Sequence, residues 1–314
     1  LNITRPLRIE TLSIFPGNAA PAIIDANGID RVFKIEAGAY NVEFVRLGIT
    51  GGYNHEISSG VAASGDVTFE YVNIFGNTDP EPVYKSAALG CGGGGKIDIK
   101  DSAIRDNNSG GVSCPEVTLT RSTISGNTGN AGISAAKLTM VNSTVSGNSN
   151  RGVNQYTANS QITIANSTIA NNGSAGIWME VLGNNTAILL INSILSGNGM
   201  SCDFGASLSA TMRNNLYDDS SCPSDGVDDL SMYNTPANLS PLSYHGGPTQ
   251  THRPHTNSYA IDHADSLFCS PLNTDQRGEL RPADFTGQNP ARCDIGAVEL
   301  ESDVIFWDDF EQPL

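Results

Sequence analysis

The stretch Asn142-Ser143-Thr144-Val145-Ser146-Gly147-Asn148 decides the fold, because the chain repeats it. It stands earlier as Arg121-Ser122-Thr123-Ile124-Ser125-Gly126-Asn127. It returns as Asn166-Ser167-Thr168-Ile169-Ala170-Asn171-Asn172 and Asn192-Ser193-Ile194-Leu195-Ser196-Gly197-Asn198. Weaker copies lie at 47–52, 72–77, 102–107 and 213–219. The aligned apolar residues are Ile49, Ile74, Ile104, Ile124, Val145, Ile169, Leu195 and Leu216. Their gaps of 25, 30, 20, 21, 24, 26 and 21 residues average about 24. A fixed unit with variable insertions is the mark of a solenoid.

Working outward, each copy is preceded by period-two alternation: Val117-Thr118-Leu119-Thr120, Leu138-Thr139-Met140 and Ile162-Thr163-Ile164-Ala165. One set of side chains points inward and the other outward. A further short strand follows the closing Asn, as Gly111-Val112-Ser113, Gly132-Ile133-Ser134, Gly152-Val153-Asn154 and Gly176-Ile177-Trp178. No helix fits between these strands, which disfavours βαβ units, leucine-rich horseshoes and helical repeats. A propeller blade needs roughly 40 residues. The reading is all-β: a parallel β-helix whose turns stack about 4.8 Å apart. Asn77, Asn107, Asn127, Asn148, Asn172, Asn198 and then Asp219 are expected to form a side-chain ladder between turns, at positions that tolerate left-handed backbone. Thr and Ser on the outer face suit a solvated strand.

The chain of 314 residues carries a formal charge of −16, with only 16% charged residues and 33 glycines. The negative field argues against nucleic acid and anionic membrane surfaces as partners. No apolar run of about 20 residues is present, so no transmembrane span is expected. Leu1 opens the chain without a basic or hydrophobic leader, consistent with a signal peptide removed or never present. Six cysteines contain no CxxC pair. Aligning Leu89 with Val112 places Cys91 on Cys114 one turn away, the best pair. Cys202 with Cys222 and Cys269 with Cys293 follow with less support. Three disulfides imply an oxidising location.

Three segments are expected. Residues 1–222 form the coils, with Leu1 to Pro16 a candidate cover for the first turn. Residues 223–299, where the phrase disappears, form a loop-rich region folded against or capping the coil. Residues 300–314 are an acidic tail, with Phe306, Trp307 and Phe310.

The repeated phrases resemble right-handed parallel β-helix repeat proteins of bacteria, the pectin-lyase-like fold. The C-terminal words resemble one group more closely. They are His245-Gly246-Gly247-Pro248-Thr249-Gln250-Thr251-His252, Ala260-Ile261-Asp262, Asp275-Gln276-Arg277-Gly278 with Arg281-Pro282, and Cys293-Asp294-Ile295-Gly296-Ala297-Val298-Glu299. They are similar to the hallmarks of the "choice-of-anchor Q" surface or secreted family, with Tyr259 where that group has Pro. The resemblance spans about residues 40–299. Ile305 to Glu311 resembles a tail on exported gammaproteobacterial proteins. The resemblance implies export or surface display and no defined reaction. His252, Asp262, Asp275, Arg277, Arg281 and Asp294 recur among its words, and buried Arg–Asp pairs fixing loops would explain them.

An enzyme built on this coil needs clustered carboxylates and a base on the outer face. The strand register predicts one outer ladder of Glu43, Thr68, Asp98, Thr118, Thr139, Thr163 and Leu189. The neighbouring ladder is Val45, Glu70, Lys100, Thr120, Val141, Ala165 and Ile191. Glu43, Glu70, Asp98 and Lys100, with Arg46 and Arg105 nearby, are the candidate catalytic or cation site, and surface ion pairs are the plainer reading. Polysaccharide lyases on such folds use a cation, often calcium, and an Arg or Lys base. Calcium is therefore the candidate cation, and no organic cofactor is expected. Leu189 and Ile191 call for a cover, from the C-terminal region or from loop 178–186. Trp178 is a candidate platform for a sugar ring or a side chain packed under a loop. Asp218, Asp219, Asp225, Asp228 and Asp229 lack EF-hand spacing. His245, His252, His255 and His263 lie close in sequence without an assignable metal partner. Gly90 and Gly92 to Gly95 precede no Gly-Lys-Ser/Thr and make no phosphate loop. Three Thr steps are too few for an ice-binding face. The favoured reading is an exported bacterial β-helix with a carbohydrate-binding, adhesion or structural role, its partner an extracellular polysaccharide or cell-surface component. The alternative is a polysaccharide lyase or glycoside hydrolase.

Overall fold

A computed structural model describes residues 1–301 apart from 12–20, 55, 84, 93, 156, 181–184, 206–207, 225–228, 270–272, 284 and 288–290. The tail aromatics Phe306, Trp307 and Phe310, and Asp225 and Asp228, thus lie outside the described residues. Each turn lays down three strand segments, and the strands pair in parallel with those of the neighbouring turns. Within one turn, Thr123–Ser125 is followed by Ala131–Val141, which bends between two faces, and then by Thr144–Ser146. Nine short strands from Ala22–Asp25 to Leu216–Tyr217 stack into one sheet, here called the short-strand sheet. The remaining 16 strands form a continuous folded sheet with two faces.

Both predicted outer ladders are found residue for residue. Glu43, Thr68, Asp98, Thr118, Thr139, Thr163 and Leu189 pair in sequence. So do Val45, Glu70, Lys100, Thr120, Val141, Ala165 and Ile191. Between them, Phe44, Phe69, Ile99, Leu119, Met140, Ile164, Leu190 and Met212 point inward and are fully buried. Each such side chain contributes about 1.5–3 kcal/mol.

The phrase ladder runs Ile49, Ile74, Ile104, Ile124, Val145, Ile169, Leu195. Its last step differs from expectation, because Leu195 pairs with Tyr217 and Ile194 with Leu216. A shift by one residue exchanges the faces. Leu216 turns away into a second apolar cluster with Ile194, Ala237, Ala260 and Ile295, and Tyr217 fills the core place, its ring 5.0 Å from that of Tyr233.

The Asn ladder is formed from Asn77 to Asn198. Each Nδ2 donates to the next Oδ1 at 2.9–3.0 Å: Asn77 to Asn107, Asn107 to Asn127, Asn127 to Asn148, Asn148 to Asn172 and Asn172 to Asn198. The left-handed residues are not these Asn but those just before them, including Gly126, Gly147, Asn171 and Gly197. The expected Asp219 step is replaced. Its carboxylate instead accepts the backbone N–H groups of Ser201 and Ser221.

A second ladder occupies the opposite corner. The first residue of each phrase, Arg121, Asn142, Asn166 and Asn192, is left-handed with φ of 46–48°, a conformation Asn adopts readily. The Ser that follows is buried. Ser122 N–H donates to Ser143 Oγ, Ser143 N–H to Ser167 Oγ, and Ser167 N–H to Ser193 Oγ at 3.2–3.3 Å. The serines of the phrase therefore satisfy a tight corner rather than face water.

All three expected disulfides are present: Cys91–Cys114, Cys202–Cys222 and Cys269–Cys293. The N-terminal residues supply the first rung. Asn2–Ile3 pairs with Phe33–Ile35, and Arg8–Glu10 with Val42–Val45.

The C-terminal region lies along the short-strand sheet and buries its outer Thr and Ser residues. Thr144 Oγ1 donates to Gln276 Oε1 at 2.6 Å, Thr123 Oγ1 to the Gln250 carbonyl at 2.6 Å, and the Ala297 N–H to Thr168 Oγ1 at 3.1 Å. The corner residues Asn142, Asn166 and Asn192 donate to carbonyls of Thr274 and Phe268. Of the two outer residues expected to need a cover, Ile191 is buried, beside Arg213, which lies over the Phe268 ring, and Leu189 stays half-buried.

Candidate functional site

The carboxylates and the lysine singled out on the outer ladders are only partly brought together. Asp98 and Lys100 project from one strand, Lys96–Lys100, and form an ion pair at 3.4 Å. Glu70 is the strand neighbour of Lys100. Glu43 is separated from Asp98 by the Thr68 rung, two steps of about 4.8 Å, and pairs with Arg8 at 2.6 Å. Arg8 also bonds Glu10, and that bond holds the Glu10 carboxyl below the usual carboxylate range. Arg46 approaches Glu10 at 3.9 Å. Arg105 is not part of the patch, because its strand Ala103–Arg105 lies in the short-strand sheet. There it pairs with Asp106 and lies over Phe75. The patch is a row of mostly exposed ion pairs, with one buried polar atom, Asp98 Oδ1, lacking a hydrogen-bond partner.

The other face of the folded sheet holds a groove of about 470 Å³. Its floor follows from the third residue of the Gly-x-x words, which aligns with Gly90 of Ala88-Leu89-Gly90. Gly90, Ser113, Ser134, Asn154 and Trp178 are register neighbours in successive turns. Small side chains in consecutive rungs leave a trough, and the larger Asn154 and Trp178 close one end. The groove extends from Glu56 and Ile57 to Trp178, crossing the strands that begin at Ala87, Gly110, Ala131, Arg151 and Ala175. At about 4.8 Å per step this is roughly 24 Å.

Arg151 dominates the closed end. Its guanidinium lies 3.8 Å over the Trp178 ring, a cation–π contact. One Nη donates to Asn154 Oδ1 at 2.8 Å, and Asn154 Nδ2 donates to Ser134 Oγ at 3.2 Å. Trp178 therefore meets a cation on one ring face. Lys85 stands at the opposite side and donates to Asn108 and, at 3.4 Å, to Thr128 Oγ1. Among these residues only Trp178 was singled out from the sequence. The signal for the others was present in the aligned words Gly111-Val112-Ser113, Gly132-Ile133-Ser134 and Gly152-Val153-Asn154.

The C-terminal region carries buried charge of a structural kind. Asp275 accepts the backbone N–H groups of Arg277, Glu279 and Glu299 and the Nε of Arg277 at 2.8 Å. Arg281 and Glu299 are both fully buried with N···O of 2.9 Å, close enough for an ion pair though too far off line for a hydrogen bond through Nε. Burial pushes the Asp294 carboxyl up, and the nearby Glu299 adds to this. Burial also raises Glu299, against the pull of Arg281. The histidines are dispersed. His252 is buried between Ser146 Oγ and the Ser240 carbonyl, each at 2.7 Å, and desolvation lowers its pKa. His263 faces the Ile261 carbonyl and His245 faces Thr251. Among the described residues no three His, Cys, Asp or Glu side chains converge in a way that would hold a metal ion. No described helix is long and apolar enough to cross a membrane.

Comparison with solved structures finds similarity to one titled "Crystal structure of pectate lyase Pel9A", with 14% identity, 95% of this chain and 87% of that chain covered, and a TM-score of 0.39. No curated protein matches the chain. Residues 57–218 match the family model described as "Right handed beta helix region". That match spans more than half of the 314 residues, and the chain belongs to the right-handed β-helix family.

Proposed function

We propose that this β-helix is a binding module for an extended polysaccharide, exported and held at or beyond the cell surface. The observation that carries the reading is the groove. It crosses successive turns, its floor is made of hydroxyl and amide side chains, and an aromatic ring closes one end. Sugars are bound by such mixtures of hydrogen-bonding groups and flat apolar surface. A regular coil presents equivalent groups at each rung, which suits a ligand with its own repeat. Export is supported by the three disulfides, which persist in oxidising compartments, and by the C-terminal words that resemble the surface family. Surface attachment and adhesion belong to the same reading.

The alternative, cleavage of a polysaccharide by Asp98 and Lys100 with Glu70 and Glu43, draws on a patch whose charges mostly neutralise one another. The test is a binding titration of neutral and acidic polysaccharides against the wild type and Ser113→Trp, which fills the groove floor. Loss of binding in Ser113→Trp with native circular dichroism supports the groove. Unchanged binding in that variant contradicts it.

A further inference from the structure

We infer that the groove contains an anion site centred on Arg151, so that its ligand is a polymer bearing carboxylate or sulfate groups. This rests on the reading of the groove as a polymer site and narrows it to one ligand class.

The charge balance inside the groove is the first argument. The chain as a whole is strongly acidic, at −16, yet the groove carries two cations without a carboxylate partner among the described residues. Among the described residues Arg151 bonds only the neutral Asn154 and stacks on Trp178. Among the same residues Lys85 bonds only the neutral Asn108 and Thr128. The one acidic lining residue, Glu56, is engaged by Arg31 at 3.2 Å. Elsewhere on the coil, exposed cations such as Lys96, Lys100, Arg8 and Lys137 sit beside carboxylates. The groove departs from that pattern.

Unmet hydrogen-bonding capacity is the second argument. Arg151 Nε and Ser86 Oγ are buried and have no hydrogen-bond partner, and both residues line this groove. A buried donor without an acceptor is costly. Asn154 takes one Nη of Arg151, and among the described residues the other Nη has no hydrogen-bond partner, so it is the group an oxyanion meets first, beside the unpartnered Nε. A guanidinium edge matches a carboxylate or sulfate in two parallel hydrogen bonds. Stacking on Trp178 fixes the guanidinium plane before a ligand arrives, which lowers the ordering cost of binding.

Spacing is the third. The strands starting at Ala87 and Arg151 are three rungs apart, or about 14 Å. A chain lying along the coil axis places charged groups near both Lys85 and Arg151, with uncharged ring faces over Ser113 and Ser134 between them.

The experiment titrates polygalacturonate, its fully methyl-esterified form and a sulfated galactan against wild type, Arg151→Gln, Arg151→Lys and Ser113→Trp. The inference predicts that one or both acidic polymers bind and the methyl ester does not. Arg151→Gln weakens binding about tenfold or more, the loss of one charge-assisted contact. Arg151→Lys recovers only part of it, because an ammonium lacks the fork. Raised salt weakens the wild type more than Arg151→Gln. Preference for polygalacturonate assigns a carboxylate, and preference for the galactan assigns a sulfate. If the methyl ester binds equally well, Arg151→Gln is silent and Ser113→Trp abolishes binding, the anion site is wrong while the polymer groove stands. If Ser113→Trp leaves binding of every polymer intact, or none binds, both fail.

Discussion

Asn148 accepts the side-chain amide of Asn127 at 3.0 Å and donates its own to Asn172 at the same distance. It also accepts the Asn127 backbone N–H at 3.2 Å and donates to the Ile124 carbonyl. One amide therefore links three successive turns inside the coil, where no water is available to replace it.

Asn148→Ala leaves the two Asn127 donors buried and unpaired. The expected cost is about 2–4 kcal/mol, read as a lower urea midpoint. Asn148→Asp keeps the acceptor but loses both donors and buries a charge, and it is expected to be at least as damaging.

The Cys91–Cys114 bond closes a loop between adjacent turns with a separation of 23 residues. Chain-entropy reasoning assigns it about 3 kcal/mol. The Cys91→Ser/Cys114→Ser double variant should unfold at correspondingly lower denaturant, while reducing agent should no longer affect the bond that the pair would have formed.

Arg281 and Glu299 share a site from which solvent is excluded. Arg281→Met strands a buried carboxylate, with an expected loss of about 3–5 kcal/mol. The damage should be local. Limited proteolysis is expected to open sites within 223–301 first, and the added Glu299→Gln change should restore part of the loss.

His252 supplies the pH dependence. Desolvation lowers its pKa in the folded chain, so the unfolded state binds more protons below about pH 6.5. Its stability contribution is present above the unfolded value and falls as pH drops toward the folded one. Asp294 and Glu299 act in the opposite sense, because their raised folded values favour the protonated folded state. The difference in stability between wild type and His252→Gln, followed from pH 7 to about pH 5, isolates the histidine: the wild type should lose more.

Ladders that depend on alternation were legible in the sequence, and both outer ladders and most of the core ladder follow from it. What failed was the last step. Leu216 and Tyr217 are both apolar, and Arg213 and Asn214 can each open the phrase, as Arg121 and Asn142 do, so two registers fit. The choice is made by the second cluster, where Ala260 and Ile295 claim Leu216, and no local pattern shows that. The burial of Thr123, Thr144 and Ser146 was hidden for the same reason: their partners Gln250, Gln276 and His252 lie more than 100 residues away. The groove was half visible. Its floor is written in the repeated words, but Arg151 becomes informative only once it is seen to lie on Trp178.

The decisive measurement places one bound polysaccharide, found in the polymer panel, against two variants by calorimetric titration: Ser113→Trp in the groove and Asp98→Asn/Lys100→Ala on the ladder patch. Ultraviolet absorbance of new unsaturated ends and a reducing-end assay run on the same samples. Binding lost in Ser113→Trp, kept in the ladder variant and unaccompanied by new chain ends is the result expected of a binding groove. Cleavage by the wild type that disappears in Asp98→Asn/Lys100→Ala and persists in Ser113→Trp would contradict it and place the working face on the ladder.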